Sequence, residues 1–395
     1  MNKGFLLEIP YGTRDFLPKD AKLKRTIESK LAKTFSSWGY DEIVTPSIEY
    51  VDTLTINKRS GLETQLFKFF DKHNRTLALR HEMTTPIARV AASRMYDDVL
   101  PFKLSYISSV YRYEQTQEGR QCEFYQGGVE LMGVADASAD AEIVALAAQS
   151  LLNVGLKDFE ICLGQVEFIN GLMQQMGLNE AKQNQIRAAL EKRNLVDLTN
   201  AVEDTDLPTK AKEALKSIPM LQGKQEVLEA ASALALNEQS QRALDNLHSI
   251  YKLLQAYGVA DYVSFDLGVI RDFDYYTGMV FEVYAPGIGY PICGGGRYDK
   301  MLSDFGTDCP ATGFALGIER LMLALTSQNI VDNVCLNKDV YVAYGEDLQL
   351  KAIAKVIELR KAGKTVEMGF IPQSLAAAKA YKDSKEFKEL IYIDK

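Results

Sequence analysis

Arg112-Tyr113-Glu114-Gln115-Thr116-Gln117-Glu118-Gly119-Arg120-Gln121-Cys122-Glu123-Phe124-Tyr125-Gln126-Gly127-Gly128-Val129-Glu130 sets a polar loop between two strand-like runs. Lys103 to Val110 leads in and Tyr125 to Met132 leads out. Further strand-like runs at Leu77 to Arg80 and Phe159 to Leu163 are mostly separated by turns or helices, which suits a mixed or antiparallel sheet rather than repeated β-α-β units. From Glu114 to Glu123 the loop carries three carboxylates (Glu114, Glu118, Glu123) against one cation, Arg120. A loop serving a triphosphate or an RNA end would be cationic, so this one has the wrong charge for either task.

Outward from that stretch, Leu23, Ile27, Leu31, Phe35 and Trp38 recur at helical spacing after Pro18 and stop at Gly39. Tyr40 to Pro46 then reads as a short strand ended by a proline that cannot donate to a ladder. From Gln165 to Gly258 the pattern is helical, with Leu244, Leu247, Tyr251 and Leu254 on one apolar face. Strand character returns from Tyr262 to Tyr284. Beyond Asp339 the order is strand (Val340 to Tyr344), helix (Leu348 to Lys361), strand (Val366 to Met368), helix (Ser374 to Lys382), strand (Leu390 to Ile393). The expected domains are a discontinuous core, 1–164 with 259–328, a helical insertion at 165–258, and a short C-terminal α/β domain at 335–395. The last is below the usual domain size and is expected to need a neighbour or partner to cover its sheet.

At 395 residues and 47% hydrophobic content the chain can bury more than one core. A net charge of −8 argues against broad nucleic-acid binding. The five cysteines lie far apart without a C-x-x-C pair, and the three histidines lack H-x-x-x-H spacing, so no metal or redox site is expected. Neither a signal peptide at the N-terminus nor an apolar run of membrane-spanning length is seen, so a cytoplasmic protein with no membrane partner is expected.

Three arginines stand in recognisable settings: Arg112 after its strand, Arg271 in Ile270-Arg271-Asp272-Phe273-Asp274-Tyr275-Tyr276, and Arg320 in Gly313-Phe314-Ala315-Leu316-Gly317-Ile318-Glu319-Arg320. In order, these segments match the signatures of class II aminoacyl-tRNA synthetases, the second belonging to the histidyl group. From Gly12-Thr13-Arg14-Asp15 to Leu325 the chain is similar to histidyl-tRNA synthetase. It resembles still more that enzyme's paralogue family, the regulatory subunits of ATP phosphoribosyltransferase, through Leu79 to Arg89, Pro286 to Asp299 and Pro310 to Leu321. The resemblance implies an α+β fold of class II synthetase type. Its mixed, mainly antiparallel sheet is flanked by helices and carries an all-helical insertion and a small truncated C-terminal α/β domain.

It also implies a histidine pocket. Positions matching Glu82, Thr84 and Gln126 receive an amino acid's ammonium group, those matching Arg112 and Arg271 face carboxylate or phosphate, and those matching Glu130, Tyr275 and Tyr276 frame an imidazole. Acidic groups suit an ammonium, forked guanidiniums suit a carboxylate, and a carboxylate with a phenol can satisfy both ring nitrogens. Arg120 and Arg320 match remnants of an ATP site. The Gly294-Gly295-Gly296 run lacks the lysine and helix of a phosphate loop and reads as close backbone packing under the pocket.

Departures from the ligase pattern point to regulation. Where the synthetase loop has R-P-Q and G-R-x-R, this chain has Gln115-Thr116-Gln117 and Gly119-Arg120-Gln121-Cys122, and each lost arginine should cost a triphosphate about 1.5 to 3 kcal/mol. On charge alone, arginine restored at Cys122 and Gln115 would strengthen ATP binding. The chain also ends after the third strand of what resembles an anticodon-reading domain, which is expected to leave that surface unfinished. The resemblance therefore implies a non-catalytic subunit with no cofactor. It would bind the short-form catalytic subunit of ATP phosphoribosyltransferase as a dimer within a hetero-octamer-like complex, with L-histidine as feedback effector and tRNA not an expected partner. The alternatives are a histidine-tRNA ligase with a truncated anticodon-binding domain and a free-standing histidine sensor or tRNA-acceptor-binding module without the phosphoribosyltransferase partner.

Overall fold

The structure is a computed structural model and describes residues 7–56, 62–113, 121–269, 275–331 and 338–394. Two compact units form, Met1–Ile330 and Val331–Lys395.

In the first unit, helix Pro18–Ser37 begins with a proline whose missing N–H costs nothing at a helix start. It buries Leu23, Ile27, Leu31 and Phe35 and is followed by Gly39 at φ +79°, the left-handed stop that glycine favours. The strand expected over Tyr40 to Pro46 is confined to Asp41–Glu42, in parallel register with Leu104 and Ser105. Farther on, the carbonyls of Thr45 and Pro46 accept instead from the buried Arg80 guanidinium, at 2.7 and 3.3 Å.

The main sheet has nine strands in the order Asp41–Glu42, Phe102–Tyr111, Glu123–Met132, Ala311–Gly317, Cys293–Arg297, Met279–Tyr284, Glu160–Gln165, Val263–Asp266 and Gln222–Gly223. Its pairings are antiparallel except at Asp41–Glu42 with Phe102–Tyr111 and at Glu160–Gln165 with Val263–Asp266. The fold is thus the mixed, mainly antiparallel class II type, and residues far apart in sequence meet at its centre: Glu130 lies opposite Gly313 on one side and Leu104 on the other. A buried pair, Arg297 with Asp140 at 3.0 Å, ties the strand Cys293–Arg297 to helix Ala137–Val154. A separate small antiparallel sheet orders Ile48–Tyr50, Thr76–Leu79 and Lys68–Phe70.

Between Gln165 and Gly258 the chain is helical apart from Gln222–Gly223, which extends the main sheet at its edge. Asn179, Asn194 and Asn237 each cap a helix by accepting backbone N–H groups. Helix Glu238–Ala256 buries Leu244, Leu247 and Leu254 and packs on helices Ala137–Val154 and Val166–Gln175.

The second unit orders Val366–Met368, Val340–Tyr344 and Glu389–Ile393 as a parallel sheet. Expectation and structure differ here, because the unit covers both faces of its own sheet. Ala352, Val356 and Leu359 of helix Gln349–Lys361 pack on Val340, Val342 and Tyr344, while Ala378 of helix Leu375–Ser384 packs with Tyr341 and Ala343. Alternation along the central strand supplies an apolar residue to each face in turn.

Candidate functional site

Glu130 is buried, 2% exposed, on the strand Glu123–Met132 of the main sheet. One carboxylate oxygen accepts from the Thr84 hydroxyl at 2.7 Å, and the other accepts a close hydrogen bond from Tyr298. Burial, only partly offset by those two donors, pushes its pKa up to about 8. The backbone opposite must be glycine, because a Cβ on Gly313 would lie 2.1 Å from the Glu130 Oε2. Gly295 and Gly296 are needed for the same reason. Their Cβ atoms would meet the Gly313 carbonyl at 2.2 Å and the Tyr276 ring at 2.9 Å, so the run packs backbone closely, as its lack of phosphate-loop context led us to expect.

Thr84 reaches Glu130 because it opens helix Thr84–Arg94. That first turn is held by Glu82, whose carboxylate accepts from the backbone N–H groups of Thr84 at 2.6 Å and Thr85 at 2.9 Å. Tyr275 stacks on Tyr298, with ring centres 5.4 Å apart, and meets Tyr276 edge-on at 4.7 Å. Burial raises the Tyr275 and Tyr298 phenols well above their ordinary value, with nearby carboxylates adding to the effect.

Beside this cluster lies a cavity of about 980 Å³ lined by Arg112, Gln126 and Arg320 among others. The Arg112 Nε donates to the His81 carbonyl at 3.0 Å, and its guanidinium lies 5.3 Å from the Phe124 ring centre. Arg320 donates to the Pro291 carbonyl at 2.7 Å and sits over Tyr290. The amide oxygens of Gln121 and Gln126 are buried without a hydrogen-bond partner among the described residues. Such orphaned acceptors are costly unless a ligand or water meets them. Arg14 also lines the cavity, 4.0 Å from the Phe16 ring centre. Among the described residues, three cations line the cavity, Arg14, Arg112 and Arg320, against one carboxylate, Glu319, whose oxygens accept from the Tyr125 N–H at 3.1 and 3.0 Å.

The ten residues expected from the sequence thus divide. Arg112, Gln126 and Arg320 line the cavity; Glu82, Thr84, Glu130, Tyr275 and Tyr276 form or adjoin the buried cluster; Arg120 and Arg271 lie outside the described residues.

Residues 12–321 match the family model described as Histidyl-tRNA synthetase. The ATP phosphoribosyltransferase regulatory subunit of Moorella thermoacetica is 44% identical over 318 residues, covering 80% of this chain and 82% of that protein. The protein of the same name from Thermoanaerobacter pseudethanolicus is 39% identical over 388 residues, covering 98% of this chain and 99% of its relative. The chain belongs to the family of ATP phosphoribosyltransferase regulatory subunits. Among solved structures, a Bacillus halodurans C protein described as an ATP phosphoribosyltransferase regulatory subunit/histidyl-tRNA synthetase superposes with a TM-score of 0.87 at 35% identity, covering 99% of both chains.

Within this regulatory-subunit family fold, sequence reasoning missed Tyr298, Arg14 and Gln121 as site residues. Tyr298 was visible only as part of Gly294-Gly295-Gly296-Arg297-Tyr298-Asp299, and its role depends on the strand register that brings it to Glu130. The packing of Cys122 bears on the charge argument. The residue is 3% exposed, and a Cβ on Gly12, whose φ is +73°, would lie 2.3 Å from its sulfur. An arginine there would start from a buried position packed against Gly12. Gln115 lies outside the described residues.

Proposed function

We propose that this chain is the non-catalytic regulatory subunit of an ATP phosphoribosyltransferase in histidine biosynthesis. It activates the short catalytic subunit and mediates feedback inhibition by L-histidine, which binds in the cavity beside Glu130. The carrying observation is the convergence on one cavity of guanidiniums and of amide oxygens that no described residue meets, with a buried carboxyl alongside. A free amino acid needs both kinds of partner: cationic forks for its carboxylate and acceptors for its ammonium. Glu130 with Tyr275 and Tyr276 supplies the polar and aromatic surroundings that an imidazole side chain requires. Kinship at full length with proteins named as regulatory subunits supports the reading of the partner.

In this reading the cytoplasmic assembly contains dimers of this chain docked to catalytic dimers in a hetero-octamer-like complex, without tRNA. Histidine inhibits by binding one arrangement of the complex more tightly than another. The scarcity of arginine between Gln115 and Cys122 supports the absence of adenylation. The test is calorimetric titration of the full chain with L-histidine, beside the Glu130→Ala and Arg112→Ala variants. Binding that both variants abolish supports the site; binding unchanged in both places the effector elsewhere. Histidine-stimulated pyrophosphate exchange into ATP would support the ligase reading instead.

A further inference from the structure

Resting on that reading of the histidine site, we propose that helix Thr84–Arg94 links the effector pocket mechanically to the small sheet Ile48–Tyr50/Thr76–Leu79/Lys68–Phe70, with the Arg89–Glu49 pair as the coupling. At its N-terminus the helix is held by the groups assigned to the ligand: the Glu82 carboxylate on the N–H groups of Thr84 and Thr85, and the Thr84 hydroxyl on Glu130. A ligand that draws on Glu82 and Glu130 competes directly with the bonds that fix this first turn.

Little in between would absorb a displacement. Met83, Ile87, Ala88 and Ala91 are all buried in one apolar cluster, and close-packed interiors pass strain on rather than dissipating it. On the same helix, the Arg89 guanidinium grips Glu49 Oε1 through two nitrogens, at 2.6 and 3.2 Å. Glu49 is 7% exposed, whereas its strand neighbours Ile48 and Tyr50 are 47% and 40% exposed. Strand alternation explains this, since the residue between two outward-facing side chains points inward. The pair therefore holds from behind a strand whose front is an apolar face, with Tyr50 and Phe69 both opposite Leu77. A second attachment adds to it, because helix Val51–Leu54, which follows Tyr50 directly, packs on helix Thr84–Arg94. Among the described residues Arg80 also lies near Glu49, and its guanidinium is committed to the carbonyls of Ser109, Thr45 and Pro46.

The linkage makes the apolar face respond to occupancy of the pocket, though neither Arg89 nor Glu49 touches the cavity. The experiment is hydrogen exchange of the full chain with and without saturating L-histidine, read at the amides of 48–50 and 76–79, with calorimetric histidine affinity measured in parallel. In the unaltered chain, histidine changes exchange at both segments. In Glu49→Gln that response shrinks by roughly 2- to 30-fold while histidine affinity moves less than about threefold, the size expected of a coupling residue remote from the ligand. Arg89→Lys keeps the charge but loses the fork, and it shows the same separation if Glu49→Gln does not fold. An unaltered chain that binds histidine without any exchange response at 48–50, or variants that respond in full, overturn the linkage. Failure of the unaltered chain to bind histidine at all would instead overturn the reading of the pocket, and the linkage with it.

Discussion

Glu130→Gln tests the electrostatics of the site in isolation from any ligand. The side chain is 2% exposed, and burial raises its pKa from an ordinary value near 4.5 to about 8. The folded state therefore keeps this proton over a pH range in which the unfolded chain releases it. For a carboxyl raised on folding, its contribution to stability is greatest below the unfolded value and is lost as pH climbs toward the folded one. At about 1.4 kcal/mol per pH unit, the loss from well below pH 4.5 to well above pH 8 integrates to ~5 kcal/mol. Glutamine has nearly the same shape, still accepts from Tyr298, and does not titrate. Trp38 is the only tryptophan of the chain and stacks on Tyr257 at 5.6 Å, so its fluorescence reports unfolding of the first unit. Urea titrations from pH 5 to 8 should show the wild type losing stability relative to Glu130→Gln by roughly 1 kcal/mol or more per pH unit. Parallel profiles for the two proteins, agreeing within about 0.5 kcal/mol throughout, would refute the claim that burial holds this carboxyl neutral.

Three other changes probe the packing that builds the site. Gly313→Ala, which puts a methyl 2.1 Å from Glu130 Oε2, should destabilise the first unit by about 1–3 kcal/mol and abolish histidine binding, measured by urea titration and calorimetry. Asp140→Ala leaves the buried Arg297 without its closest carboxylate and should cost about 3–5 kcal/mol in the same titration. Cys122→Arg should lower stability by about 1–3 kcal/mol with no gain in ATP affinity by equilibrium titration, because the larger side chain must be fitted into a buried site packed against Gly12. Stronger ATP binding at unchanged stability would show that the loop can move aside.

Local patterns carried much of this fold in legible form. The five C-terminal elements follow their hydrophobic alternation and periodicity to within a few residues, and Pro18 and Gly39 bracket the first helix as their backbone preferences require. The strand after Gly39 was overestimated because the buried Arg80 takes its last carbonyls, a tertiary competition invisible in Tyr40 to Pro46 itself. The two-residue strand Gln222–Gly223 is too short to leave a period. The candidate site residues were implied by the family resemblance, and how they group in space depended on register. Tyr298 meets Glu130 only because Arg297 lies opposite Thr312 and Gly313 lies opposite Glu130, a relation no single segment encodes. Charge counting along the loop missed a different point, since the cavity gathers Arg14, Arg112 and Arg320 from three distant parts of the chain.

The most direct measurement is formation of phosphoribosyl-ATP by a purified short catalytic subunit, with and without this chain and over a series of L-histidine concentrations. Addition of the chain should raise the rate and make it fall with histidine, and the fall should disappear in Glu130→Ala. A catalytic subunit indifferent to the chain, with the chain itself charging transfer RNA with histidine, would contradict the account.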